Sequence, residues 1–164
     1  MLKRSLILVL VFVFILNLGV SAKEVELKSG TIIFVETTSM LDPDQLQVGD
    51  NVSLIVSSDV LVNNTVVIEA GSPVIATVTS SKESGLIGMA GKLGLNISSV
   101  EAVDGTYVAL SGSKMVEGKD STVASAGLSL LICPLFALMK GEDAKIPANT
   151  RIEARVISTY QINI

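Results

Sequence analysis

Apolar and polar residues alternate with a period of two over most of the chain beyond residue 22. From Lys92 to Ser98 the order Lys-Leu-Gly-Leu-Asn-Ile-Ser sets Leu93, Leu95 and Ile97 on one face and polar residues on the other. Arg151 to Val156 does the same, with Ile152, Ala154 and Val156 opposed to Arg151, Glu153 and Arg155. Successive side chains of a strand point to opposite faces, so this pattern predicts strands buried on one side. Val74, Ala76 and Val78 alternate with Ile75, Thr77 and Thr79, a strand more apolar on both faces.

Turn chemistry separates these runs. Asp59 to Ile68 reads as two short strands joined at Asn63-Asn64, because asparagine accepts the positive φ that a two-residue hairpin turn demands. Asp104-Gly105 predicts a second hairpin between Ser98–Val103 and Thr106–Leu110. Val48-Gly49-Asp50 predicts a turn into a strand from Asn51 to Ser57. One stretch is echoed: Ile68 to Val78 aligns with Ile146 to Val156, placing Gly71-Ser72 over Asn149-Thr150, and Leu27 to Ile33 is a shorter copy around Gly30-Thr31. Glycine and asparagine are the residues that best accept the left-handed region, so the echo predicts a tight corner that launches a core strand. The spacing of the copies is irregular, which excludes a solenoid and fits related corners of a barrel or sandwich.

Residues 121–140 break the alternation. Ala124 to Met139 holds no charge and includes Pro134. Ser121 or Thr122 as a cap and Lys140-Gly141 as a stop predict a short helical segment, kinked or split at the proline. It is shorter than the roughly 20 residues a spanning helix needs. Two readings stay open. Residues 124–139 are a buried plug at one end of the barrel, or they are exposed apolar surface, which marks an interaction site. On the second reading Leu128, Leu130, Leu131, Leu135, Phe136 and Met139 form the association surface.

The start of the chain follows a different plan. Lys3 and Arg4 precede an apolar run from Leu6 to Val20, and Val20-Ser21-Ala22 offers small residues for cleavage. This is the order of a secretory signal peptide, so residues 1–22 are expected to be removed and 23–164 to form one β-rich domain. No cysteine lies near the cleavage point to carry a lipid.

Composition narrows the chemistry. Aromatics are 4% of the 164 residues and tryptophan is absent, so the core must be aliphatic. Taking the two leader cations from twelve Lys and Arg, against sixteen Asp and Glu, leaves a net charge of −6, which repels nucleic acid and anionic headgroups. The chain has no histidine, which excludes Ser-His and Cys-His nucleophiles and imidazole metal sites. Cys133 is single and sits in an apolar run, so it reads as a buried thiol without an intramolecular disulfide. Ser113-Lys114 is the one local Ser-Lys pair, but strand neighbours point apart. Asp42, Asp44 and Asp50 share a loop that lacks the glycine and terminal glutamate of a calcium loop. Gly85, Gly88, Gly91 and Gly94 recur at every third residue and read as a flexible loop running into a strand.

The order of motifs from Val67 to Gly112 resembles the C-terminal β-barrel of the TrbI-like channel-scaffold proteins of type IV secretion and conjugation systems. The matching features are the Ile68-Glu-Ala-Gly71-Ser72 corner, the glycine loop and long strand from Gly88 to Ser98, and the Asp104-Gly105 hairpin closing on Leu110-Ser111-Gly112. An apolar insertion and a last strand follow in that family, as Ala124–Met139 and Arg151–Ser158 do here. The resemblance covers about half the chain and implies a barrel of that type. The chain lacks the family's cytoplasmic tail and proline-rich linker, and its insertion is shorter.

The expected fold is therefore all-β, a small closed barrel or flattened sandwich of about seven to nine strands with one short apolar helical segment. The expected role is non-enzymatic: an exported module of the periplasm or cell envelope with a structural or assembly function, secretion-related on the resemblance. No cofactor or metal is expected. The partner is another copy or an envelope protein met through the apolar segment, not nucleic acid, and membrane contact stays open. The alternative is a periplasmic module that binds a small ligand or glycan in the barrel mouth.

Overall fold

Ten strands run through the computed structural model, which describes residues 23–86, 89–119 and 141–164. They are β1 (Glu24–Leu27), β2 (Ile32–Thr37), β3 (Asn51–Val56), β4 (Val60–Val62), β5 (Thr65–Ile68), β6 (Pro73–Lys82), β7 (Lys92–Glu101), β8 (Tyr107–Glu117), β9 (Arg151–Val156) and β10 (Tyr160–Asn163). Six of them close an antiparallel barrel in the order β2-β3-β6-β7-β8-β9, while β1-β10 and β4-β5 form two small sheets. The count passes the expected seven to nine because the short β4 and β5, and the pairing of β1 with β10 across the length of the chain, add strands outside the barrel. No helix occurs among the described residues, and the expected helical segment at 121–140 lies outside them.

The alternating positions fill the barrel. Ile33, Val35, Leu54, Val56, Val74, Ala76, Val78, Leu93, Leu95, Ile97, Val108 and Ala154 are buried, and the buried hydrophobics form one cluster. The residues between them face outward, as the alternation of exposed and buried positions from Arg151 to Val156 shows. An interior of Val, Ile, Leu and Ala suits a narrow barrel, because branched aliphatic chains fill the pleated wall from both sides.

The echoed corners make the barrel's ends. Gly30 (φ 84°), Gly71 (φ 85°) and Asn149 (φ 59°) all lie in the left-handed region, and so does Gly49 (φ 98°). Each uses the same pair of bonds. Its N–H donates to the carbonyl of a facing residue, and that residue's N–H donates to the carbonyl of the residue after the corner. The facing residues are Val156 for Gly30-Thr31, Val78 for Gly49-Asp50, Val56 for Gly71-Ser72 and Thr37 for Asn149-Thr150, with N···O distances of 2.8 to 3.3 Å. Two residues thus oppose one, with the first in the left-handed region, which is the geometry of a glycine bulge. The corner of β2 closes on β9 and the corner of β9 on β2; those of β3 and β6 do the same. The pairing scheme is unchanged when β2 is exchanged with β3, β6 with β9 and β7 with β8. This internal dyad explains why the echo has no regular period.

Thr37 is the polar exception among the four facing residues, and it is fully buried. Its hydroxyl donates to the Pro147 carbonyl at 2.7 Å and accepts the Thr150 N–H at 3.0 Å. A valine would leave the half-buried Thr150 amide without this partner, at a cost of about 1 kcal/mol.

The wall is uneven. β7 pairs with β8 from Lys92↔Glu117 to Glu101↔Tyr107, so the hairpin runs the height of the molecule. β8 meets β9 only at Leu110↔Val156 and Ser111↔Arg155. Gly112 follows directly, and a Cβ there would lie 2.8 Å from the Glu153 carbonyl oxygen and 2.9 Å from Ala154 Cα. The two small sheets pack by the β7–β8 turn, burying Val25, Leu27, Val67, Ile68 and Ile162.

Candidate functional site

The two ends of the β7–β8 hairpin are built differently. At the turn, Ala102 to Thr106 fold back with Gly105 at φ 81°. Asp104 accepts the N–H of Thr106 at 2.9 Å through one oxygen and that of Asn163 at 3.0 Å through the other. The turn is thereby tied to β10, and the Tyr160 hydroxyl accepts the Ala109 N–H at 3.0 Å beside it. Burial pushes the Asp104 carboxyl up, but the Asn163 and Thr106 hydrogen bonds outweigh it and hold the group below the ordinary aspartate range. A carboxyl lowered in the folded state stabilises the fold above its unfolded pKa, and that contribution is lost as pH falls through the folded value. Asp104→Asn is therefore expected to lower Tm by about 4 °C at pH 7 and to lessen the loss of stability below roughly pH 4, as thermal melts at pH 7 and pH 3 would show.

At the opposite rim the β6–β7 connection meets the residues on either side of 120–140. Lys119 and Gly141 are the last and first described residues on either side of 120–140, and the Glu142 N–H donates to the Lys119 carbonyl at 3.4 Å. The apolar segment thus leaves and re-enters the barrel at one point. Leu128, Leu130, Leu131, Leu135, Phe136 and Met139 lie outside the described residues, as do Gly88 and Cys133. Gly85 and Gly91 are in the β6–β7 connection, while Gly94 falls inside β7, so the glycine loop ends before it. A Cβ at Gly94 would press on Thr79 Oγ1 at 2.9 Å, and one at Gly91 on the backbone of Ala144, Lys82 and Ser84 at 3.0 to 3.2 Å. These glycines permit close packing, which their spacing alone did not reveal. Leu86, Met89, Met115 and Met40 are exposed around the same rim.

Ser84 and Asp143 were missed in the sequence because they are 59 residues apart; the buried Ser84 hydroxyl donates to the Asp143 carboxylate. Asp42 pairs with Lys145 at 2.6 Å and accepts the Asp44 N–H at 3.1 Å. The Lys145 hydrogen bond and then the Asp44 amide hold the Asp42 carboxyl low, and Asp42 in turn raises the Lys145 ammonium. Asp50 accepts the Gln47 N–H at 2.7 Å in its own corner. Among the described residues no three carboxylates or thiols converge as a metal site would require. Ser113 is exposed and Lys114 half-buried on β8, and Lys92 pairs with Glu117 at 2.8 Å. The described depressions are on the outside of the barrel; one, of about 430 Å³, lies between Glu69–Pro73 and Glu101–Val103.

The described residues therefore define a six-stranded antiparallel barrel with two small flanking sheets, and Lys119 and Glu142 meet at one rim. No family model matches the chain, and no curated protein does. Among solved structures it is similar to ComB10 of the Com type IV secretion system of Helicobacter pylori, at 12% identity and a TM-score of 0.45, over 82% of this chain and 88% of that one. The likeness is a distant one.

Proposed function

We propose that the chain is a non-enzymatic structural or assembly module of the cell envelope, exported with loss of residues 1–22, that associates with another copy or an envelope protein through the apolar segment 121–140. The observation that carries this reading is the junction at Lys119 and Glu142, which stand side by side at the two ends of the stretch that holds the uncharged apolar run 124–139. Exposed Leu86, Met89 and Met115 on that rim extend the apolar surface. The secretion-related part of the reading rests on the motif order from Val67 to Gly112 and the last strand. The alternative, a ligand in the barrel mouth, meets an interior already filled by Ile33, Leu54, Leu95 and Ile97.

Light scattering on the protein as the cell leaves it, with and without Leu131→Asp and Leu135→Asp, tests the proposal. The unchanged chain is expected to form a dimer or larger assembly that the double variant dissociates while staying folded. A monomer that unfolds on the two changes identifies a core plug instead, and refutes the association.

A further inference from the structure

Beyond Ser111, β8 is paired on one side only. Its ladder to β7 runs without a break from Gly112↔Ile97 to Glu117↔Lys92, while its ladder to β9 ends at Ser111↔Arg155. The backbone bonds alternate in direction. Gly118 donates its N–H to the Gly91 carbonyl on the β7 side, and the Ala109 carbonyl accepts the Ile157 N–H on the other. Even-numbered residues therefore turn their N–H and C=O toward β7. Ser113, Met115 and Glu117 turn theirs away from it, with no backbone partner among the described residues. Their side chains are exposed, Met115 at 60%. Such a row is an open strand edge, a template for a further strand. Between them Lys114 and Val116 are half-buried, on the face they share with Leu95 and Leu93. Val116 packs against the core, and Lys114 forms no ion pair among the described residues.

We propose that the β8 edge from Ser113 to Glu117 is a strand-addition site, taken by an extended segment of a partner protein with an acidic residue beside Lys114 and an apolar one beside Val116. Main-chain hydrogen bonds to the three outward residues supply the affinity, and the side chains opposite Lys114 and Val116 supply the choice of partner. Opposed residues of neighbouring strands share a face, so the inner side of the added strand lies on these two. The same geometry excludes the matching edge of a second copy. There too the even-numbered residues are bonded to β7, so only odd-numbered residues bond across. Lys114 would then face Gly112, Lys114, Val116 or Gly118 of the second copy. None of these is acidic, and two lysines directly opposed repel. An inward-turned charge on an open edge discourages such self-pairing. The surface is formed by β8 alone and does not depend on 121–140.

Two proline variants of the full chain test the edge, and a peptide tests its occupant. Proline fits an edge strand where the missing N–H faced no partner. Met115→Pro is therefore expected to change Tm by less than about 4 °C, whereas Val116→Pro, which loses its bond to β7, is expected to lower it by about 10 °C or more. The probe is the capped peptide Thr-Val-Thr-Glu-Thr-Val-Thr, whose sequence is the same from either end. It is expected to slow amide exchange at Ser113, Met115 and Glu117 and to bind Met115→Pro about tenfold more weakly. Replacing its central glutamate by glutamine is expected to weaken binding about threefold. A Tm loss for Met115→Pro as large as for Val116→Pro shows an edge already paired and overturns the proposal. So does a peptide that leaves those three amides unprotected at millimolar concentration. Equal binding of the glutamate and glutamine peptides refutes the acidic partner. A parent chain that self-associates, and that Met115→Pro makes monomeric, refutes the partner strand in favour of a second copy.

Discussion

Leu95→Ala is expected to cost about 3 kcal/mol of stability, within the range of 2–5 kcal/mol for buried leucine truncations. Leu95 sits in the longest ladder of the barrel, opposite Val78 of β6 and Lys114 of β8, with its side chain 1% exposed. The cost has two parts: the lost transfer of the removed methyl and methylene groups, and the cavity that remains. A closed wall makes the second part large. The facing strands are hydrogen-bonded on both sides and cannot slide inward to refill the space. Urea unfolding of the two proteins checks it. A loss below about 1 kcal/mol would contradict the packed interior described above.

Gly112→Val is expected to open the β8–β9 contact and destabilise the fold by about 2–3 kcal/mol. Its Cβ would meet the Glu153 carbonyl oxygen at 2.8 Å and Ala154 Cα and Cβ at 2.9 Å, and two of these three atoms are backbone. Rotamer changes cannot relieve a backbone clash, so the strands must part. The place is vulnerable because only Leu110 and Ser111 pair β8 with β9. Exchange at these two residues should rise more than at β3 or β6. Ser111→Val, one position away with an exposed side chain, is the control and should change stability by less than about 0.5 kcal/mol.

The strands were legible because a barrel wall writes its two faces directly into the sequence: Leu93-Leu95-Ile97 and Ile152-Ala154-Val156 are all buried. The hairpin turns were equally legible, since Asn63 (φ 49°), Asn64 (φ 66°) and Gly105 (φ 81°) hold the backbone their residue types favour. Three corners were visible as an echo, but the fourth at Gly49 was visible only as a turn. Gln47-Val-Gly-Asp50 shares only the glycine with the Gly71-Ser72 copy, and the shared bond to a facing strand end is not local. The same limit hid the pairing of β1 with β10 and the brevity of the β8–β9 contact.

At the candidate site, composition alone marked Leu128 to Met139, and no periodic pattern assigned those side chains a face. Of the glycines at 85–94, Gly91 and Gly94 sit where neighbouring atoms come close, which their spacing did not show. A glycine tolerated for flexibility and one required for close approach look identical in sequence, and only the atoms around Gly91 and Gly94 distinguish them. Ser84 carried no signal, because an isolated serine acquires meaning only from the carboxylate that folding brings to it.

The long β7–β8 hairpin also sets how the molecule would bear tension. Its ten-residue strand spans about 33 Å at the usual rise, from the Gly91–Gly118 junction to the Asp104 tie on β10. Tension applied between Lys119 and Ile164 would run lengthwise along β8 rather than across it. In that direction the ladder bonds are loaded in shear and share the force together, whereas a crosswise pull would peel them one after another. Under such a load the β7–β8 hairpin would act as a stiff tie rod between the two ends of the barrel.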